Sequence, residues 1–348
     1  NDITGNWSMA MKEPMEYILD FQANAEPAPK AVVFEITKRC NLFCTHCYNP
    51  MDKQTELSTE AIFTVLRNMP NPAETLLGFT GGEVLVREDF FDIVRYAVGL
   101  GFQKPNIDTN GVLLNRVMAQ KVYESGIRSA QVSIDGMENE HDWVRGKGAF
   151  QKLIDNIPHI RDARIEIMAN MTVHKRNMNQ IYAVWELLHS LGVGRFKIEP
   201  LIAKGRGEKI RNLLLEPDDV RCICEILKKI ADRGEEPELI LDNLFKTYIF
   251  NKPGLGCPSG RTFCIITHKG KMVHCPVFTD IARPEDDLLQ REFRDIWEKS
   301  RLLDDIRNLE KFEDCRDCEH LTICAGGCHA RAYAAYGSLF KKDPMCPF

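Results

Sequence analysis

The chain has 348 residues, enough for one large domain with a smaller appendage and for a buried active site. Its 45 basic and 50 acidic residues leave a formal net charge of −5 with no long block of either sign, which gives no footing to nucleic-acid binding. No stretch approaches the roughly 20 apolar residues that span a bilayer, and Asn1 to Lys12 lacks the basic-then-apolar start of a secretory signal, so a cytoplasmic protein without a membrane partner is expected. In that reducing compartment the 13 cysteines point to metal rather than to disulfides.

From about residue 31 to about residue 200, short apolar runs alternate with helical patterns, as in repeated βα units on a parallel sheet. The runs Ala31–Ile36, Thr75–Thr80, Pro105–Asp108, Ala130–Ile134, Ile165–Val173 and Arg195–Ile198 predict six strands. Between them Ser58 can cap a helix to Met69, Glu88 to Gly99 stops against Gly101, Asn115 to Glu124 stops before Gly126, and Met178 to Leu191 before Gly192. Six units predict an α/β fold, a partial (β/α)6 TIM-like barrel, with chemistry at the carboxyl ends of its strands. Lys204 to Glu208 reads as a loop leaving the sheet and Pro217 to Arg233 as a linker helix. From Asn251 onward Gly, Pro and Cys are dense and apolar periodicity is weak, so a small cysteine-rich domain stapled by metal is expected. The expected division is an N-terminal extension at 1–30, a barrel with its linker helix at 31–250 and the cysteine-rich domain at 251–348.

Cys40, Cys44 and Cys47 fall in one loop directly after the first predicted strand. Three thiolates can hold three irons of a cubane and leave the fourth open to bind something. Zinc is the rival, but it wants four ligands, and His46, the nearby nitrogen, lies between two cysteines with its side chain expected to point away. The C-x3-C-x2-C spacing resembles the signature of the radical S-adenosylmethionine (SAM) superfamily, in which the open iron is chelated by the amino and carboxylate groups of SAM. Reductive cleavage of SAM there gives a 5′-deoxyadenosyl radical that abstracts hydrogen from the substrate.

Later strand ends extend the resemblance. Gly81-Gly82-Glu83 resembles the family's GGE motif, Thr109-Asn110-Gly111 and Ser133-Ile134-Asp135-Gly136 resemble positions that line its SAM site, and Arg145 matches an arginine that contacts the SAM carboxylate. The resemblance implies a SAM-binding set of His46, Gly81, Gly82, Glu83, Asn110, Ser133, Asp135 and Arg145. In it Glu83 offers an acceptor to the ammonium, while Ser133 and Asp135 face the ribose or the carboxylate.

Downstream, Cys257, Cys275, Cys315-x2-Cys318-x5-Cys324-x3-Cys328 and Cys346 are similar in every spacing to the SPASM pattern. That resemblance implies two auxiliary [4Fe–4S] clusters, three [4Fe–4S] clusters in all. Carried over by position, Cys257, Cys275 and Cys328 hold the first, with Cys264 as its fourth ligand, and Cys315, Cys318, Cys324 and Cys346 hold the second. Electron transfer or structural support is their expected role. Cys222 and Cys224, one residue apart on a predicted helix, face different ways and read as packed thiols.

The expected function is a radical SAM oxidoreductase or maturase acting on a peptide or protein side chain. Its expected partners are a reductant such as flavodoxin or ferredoxin, a precursor peptide and a separate recognition protein. A small-molecule substrate (cofactor or tetrapyrrole precursor, sugar) is the alternative. A ferredoxin-like electron carrier, from another class, leaves Glu83, Ser133, Asp135 and Arg145 unexplained. Conversion of a sulfatase residue to formylglycine is not expected: the relatives that perform it place an Asp directly after the ligand equivalent to Cys275, and here that residue is Pro276, with Asp280 the next acid and His274 adjacent.

Overall fold

The computed structural model describes residues 25–49, 56–251 and 256–348; most of the expected N-terminal extension, residues 1–24, lies outside them. Six parallel strands follow one another in chain order, β1 (Ala31–Thr37), β2 (Leu76–Gly81), β3 (Asn106–Thr109), β4 (Ser129–Ser133), β5 (Glu166–Val173) and β6 (Arg195–Pro200). The helices between them begin and end where local chemistry sets them. Ser58 accepts a hydrogen bond from the Ala61 N–H (3.2 Å) and starts α1 (Thr59–Asn68). After α2 (Phe90–Gly99), Asn115 accepts from the Met118 N–H (3.0 Å) to start α3 (Arg116–Ser125), which Gly126 ends at φ 116°.

Two helices the sequence pattern did not disclose, α4 (Glu138–Arg145) and α5 (Ala149–Asp162), lie between β4 and β5. After α6 (Ile181–Ser190), β6 and α7 (Pro217–Ala231), a seventh parallel strand, β7 (Glu238–Leu241), joins β6, and α8 (Asn243–Phe250) follows. The expected break near residue 250 does not divide the sheet. β8 (Phe263–Ile266) returns to pair in parallel with β1, Ala31 opposite Phe263 and Phe34 opposite Ile266, and β9 (Met272–Val273) pairs antiparallel with β8. The result is one nine-stranded sheet of order β7-β6-β5-β4-β3-β2-β1-β8-β9.

Along each strand, side chains alternate between the helix-covered core and an inner, concave face. Ile107 on β3, Ala130 and Val132 on β4, and Phe196 and Ile198 on β6 are buried in the core, whereas Asp108, Gln131, Lys197 and Glu199 line a cavity.

The cysteine-rich segment carries more core than its composition suggested. Phe293, Ile296 and Trp297 of α9 (Phe293–Lys299) and Leu303 of α10 (Arg301–Arg307) join the main core, because apolar residues recur at helical spacing there. Val273, Phe278, Leu302 and Ile306 gather with Ile265 of β8 in a second core. Beyond residue 308 there are short 3-10 turns and two short helices, α11 (Leu321–Cys324) and α12 (His329–Tyr336). Among the described residues no helix is long and apolar enough to cross a membrane.

Limited proteolysis of chelator-treated protein should therefore cut beyond residue 308, where no described residue is buried in the main core, and spare residues 263–306. Early cleavage inside 263–306 would contradict this division.

Candidate functional site

The loop bearing Cys40, Cys44 and Cys47 leaves the carboxyl end of β1 and is gripped by the end of β2. The Gly82 N–H donates to the Thr37 carbonyl (2.9 Å) and the Glu83 N–H to the Arg39 carbonyl (2.9 Å). A Cβ added to Gly82 would stand 2.2 Å from the Arg39 oxygen, so only glycine allows the contact. Gly81 meets the end of β1 as closely, a Cβ there standing 2.2 Å from the Thr37 oxygen. Glu83 is fully buried and braces β2 against β3: the Thr109 hydroxyl lies 2.9 Å from both its oxygens, and the Asn110 N–H donates to Oε2 at 2.9 Å. Burial pushes the Glu83 carboxyl up to about 7, against those backbone hydrogen bonds. The Asn110 side chain in turn donates to Asn41 Oδ1 (2.7 Å), inside the cysteine loop.

Asp135 is tied into the chain around the cysteine loop. It is 0% exposed, its Oδ2 meets His46 Nε2 (3.0 Å) and Arg145 Nε (2.6 Å), and its Oδ1 accepts from the Thr172 N–H (3.0 Å). Both oxygens are thereby engaged within the chain, and Asp135 anchors His46 and Arg145. Burial opposes its ionisation, but the Arg145 and His46 charges hold the carboxyl far below the usual carboxylate range. His46 turns toward Asp135, and Arg145 Nη1 lies 3.9 Å from the Cys44 sulfur. Ser133 closes β4 opposite Asn170.

The thiols fall into groups of mutual influence. Burial pushes Cys40 up to about 11, with Glu83, Cys44 and Cys47 adding to the rise, while Arg145 opposes the rise at Cys44. Burial also raises Cys275 well above its ordinary value, with Cys257 and Cys328 as charge neighbours, and Cys315 up to about 11, with Cys324, Cys318 and Cys346 as its neighbours. Thiolates crowded together out of water call for cations. Among the described residues no three His, Cys, Asp or Glu side chains converge closely enough to hold a single ion.

Cys264 stands apart from these groups. It is 0% exposed in the main core, on the face of β8 opposite Phe263 and Ile265, which line the cavity. Strand alternation turns it away from the cavity that Cys257, Cys275 and Cys328 line and places it among core residues. Cys224 is likewise packed, its sulfur 3.8 Å from the Phe245 carbonyl, while Cys222 is exposed.

One cavity of about 950 Å³ joins these parts. His46 and Cys47 line it at one place and seven cysteines from 257 to 346, Cys264 excepted, at another; its barrel wall carries Asp108, Lys197 and Glu199. Lys197 Nζ lies 2.8 Å from Glu199 Oε1. Burial pushes the Asp108 carboxyl up to about 6, opposed by Lys197 and by a hydrogen bond from Thr80, and assisted by Glu199. Asp108 escaped the sequence reading because a base was sought beside Cys275. Its signal was the inward position on β3, one residue before Thr109-Asn110.

Comparison with known proteins matches two family models, "Radical SAM superfamily" over residues 34–188 and "Iron-sulfur cluster-binding domain" (SPASM) over residues 257–319. The "AdoMet-dependent heme synthase" of Methanosarcina barkeri is 30% identical over 92% of this chain and 96% of its own. This chain belongs to the radical SAM superfamily. The "Fe-coproporphyrin III synthase" of the same organism is 28% identical over 96% of this radical SAM chain and 91% of its own. Among solved structures, Streptococcus suis SuiB bound to its precursor peptide SuiA superposes with a TM-score of 0.78 at 18% identity, over 94% of this chain and 77% of that one. The chain is thus a radical SAM enzyme with a SPASM segment, of the kind that uses SAM and iron–sulfur clusters.

Replacing Cys264 by Ala should leave the iron content of reconstituted protein unchanged and lower stability by about 0.5–3 kcal/mol, as for other buried truncations. Replacing Cys257 should lower iron. Equal iron loss from both would return Cys264 to the ligand set.

Proposed function

We propose that this radical SAM enzyme removes a hydrogen atom from a tetrapyrrole-class small molecule held in the 950 Å³ cavity. The observation that carries the reading is that one cavity connects His46 and Cys47 with the auxiliary cysteines. Similarity to the heme synthase over almost the full length of both chains supports the substrate class. Cys40, Cys44 and Cys47 would hold the SAM-binding cluster, Cys257, Cys275 and Cys328 the first auxiliary cluster, and Cys315, Cys318, Cys324 and Cys346 the second. Bound there, SAM and its cluster would supply the 5′-deoxyadenosyl radical.

The chain's own residues do the rest. Gly82 and Glu83 hold the cysteine loop to the end of β2, and Asp135 fixes Arg145 and His46 beside it. After the hydrogen atom is lost, Asp108 accepts a proton from the substrate, and the electron left behind would pass to the auxiliary clusters that Cys257, Cys275 and Cys328 and Cys315, Cys318, Cys324 and Cys346 would hold. The other candidates are placed elsewhere: Asp280 pairs with Lys204 (2.5 Å), and His274 is buried against Phe278, ring centroids 4.8 Å apart. The charged and titratable groups facing Asp108 are Lys197 and Glu199 from β6 and Tyr48 from the cysteine loop.

A second reading has a peptide side chain as substrate, presented by a precursor peptide with a separate recognition protein. The precursor peptide bound in the SuiB structure favours it. In either reading a flavodoxin- or ferredoxin-type reductant supplies the electron.

The test is isotope transfer. Reconstituted protein given SAM, reductant and perdeuterated Fe-coproporphyrin III should move deuterium into 5′-deoxyadenosine. Cleavage without deuterium transfer would sink the tetrapyrrole reading, and transfer from a deuterated precursor peptide would establish the second.

A base must be ionised to accept a proton, so the rate of the substrate-coupled reaction should rise with pH through about 6 and then level off. Asp108→Asn should lower that rate by about 10²–10⁴-fold and remove the acid limb. Lys197→Met, which deletes the opposing cation, should move the limb to higher pH. A limb unmoved in both variants would exclude Asp108 as the base.

A further inference from the structure

Between the two auxiliary cysteine groups lies a buried ion pair that the reaction as described does not use. Arg331, on α12 one turn after Cys328, is 9% exposed and forks onto Asp343, with Nε at 3.1 Å and 3.0 Å from the two carboxylate oxygens and Nη2 at 2.7 Å from Oδ2. Its Nη1 donates to Asp242 Oδ1 (3.1 Å) at the carboxyl end of β7, where Asp242 caps α8 by accepting from the Leu244 N–H (2.8 Å). Asp343 is 4% exposed and touches both cysteine groups through the backbone. Its Oδ2 accepts from the Cys328 N–H (2.9 Å), and its carbonyl accepts from the Cys346 N–H (2.9 Å).

The sequence makes room for this contact. Gly327 has φ 83°, and a Cβ there would stand 2.6 Å from the Asp343 Cβ. The pair therefore ties three pieces of chain together: the barrel rim at Asp242, the turn before Cys328 and the terminal loop of Cys346. A buried pair of this kind contributes little net stability over an apolar replacement, because desolvation offsets the attraction. Its value must be sought in position and field. Charges and hydrogen bonds beside a cluster are the levers that set its reduction potential.

We propose that Arg331 and Asp343 form a charged clasp that registers the two auxiliary cluster sites against each other and tunes the reduction potential of the cluster held by Cys257, Cys275 and Cys328. Both are positioning residues acting through Cys328. The inference rests on the assignment of those cysteines to a cluster. A cation favours the reduced, more negative cluster and a carboxylate disfavours it, so the two halves of the clasp act with opposite sign.

The experiment is an EPR-monitored redox titration of the reconstituted full chain, with iron content measured in parallel. The signal that changes on adding SAM is assigned to the SAM-binding cluster and set aside. Arg331→Gln should shift the midpoint of one auxiliary signal to a more negative value, and Asp343→Asn, which keeps the shape and an acceptor oxygen, should shift the same signal to a more positive one. Arg331→Lys, retaining charge, should stay near wild type. A packing role alone would lower iron content in both variants without midpoints of opposite sign. Unchanged midpoints, or shifts of the same sign, would overturn the clasp. Should Arg331→Gln fail to load iron, Asp343→Asn decides alone: a positive shift supports the proposal, and no shift or a negative one overturns it. If replacing Cys257, Cys275 and Cys328 leaves wild-type iron content, the cluster assignment itself fails and the clasp falls with it, an outcome read from iron and not from potential.

Discussion

In a parallel strand, successive side chains leave opposite faces of the sheet, and this period of two decides what can meet the chemistry of this molecule. Every second residue of β3, β4 and β6 goes into the apolar core: Ile107, Ala130, Val132, Phe196, Ile198. The intervening residues face the cavity, and among them are charges and amides that the core could not accommodate, such as Asp108, Gln131, Lys197 and Glu199. The same rule turns Cys264 into the core, since Phe263 and Ile265 take the inner face of β8. Because β8 pairs with β1, the cysteine-rich segment extends the sheet of the barrel, and its ligands are brought over the inner face that His46 and Cys47 also reach.

Around the first cysteine loop, charge is balanced within the chain. Asp135 holds two partners, Arg145 and His46, and Arg145 turns its fork toward Cys44. A carboxylate so placed keeps a guanidinium buried beside thiols that burial alone would keep protonated. The auxiliary region repeats the arrangement with Arg331 between Asp242 and Asp343, next to Cys328. In both places an arginine bridges a carboxylate and a cysteine loop.

Much of this was legible in the sequence because it is written locally. Strand runs, the caps Ser58 and Asn115, the stop at Gly126 and the cysteine spacings each involve neighbours along the chain. What was missed is long-range. β8 pairs with a strand more than two hundred residues earlier, and nothing in Phe263–Ile266 itself announces its partner. The core formed by Phe293, Trp297 and Leu303 was hidden by the density of Gly, Pro and Cys around it. The pairing of Asp135 with His46 joins residues 89 apart in sequence and 3.0 Å apart in space, which no local motif announces. Asp108 carries no motif of its own, and only the alternation of β3 places it on the cavity wall.

The central claim is that Cys40, Cys44 and Cys47 hold the cluster at which SAM is cleaved. The most direct measurement is formation of 5′-deoxyadenosine from SAM under reducing conditions by anaerobically reconstituted protein, compared with the variant in which all three cysteines are Ala. The account predicts cleavage by the wild type and none by the variant, which should lose one cluster's iron and keep the rest. Cleavage retained by the variant, or absent from a fully loaded wild type, would contradict it.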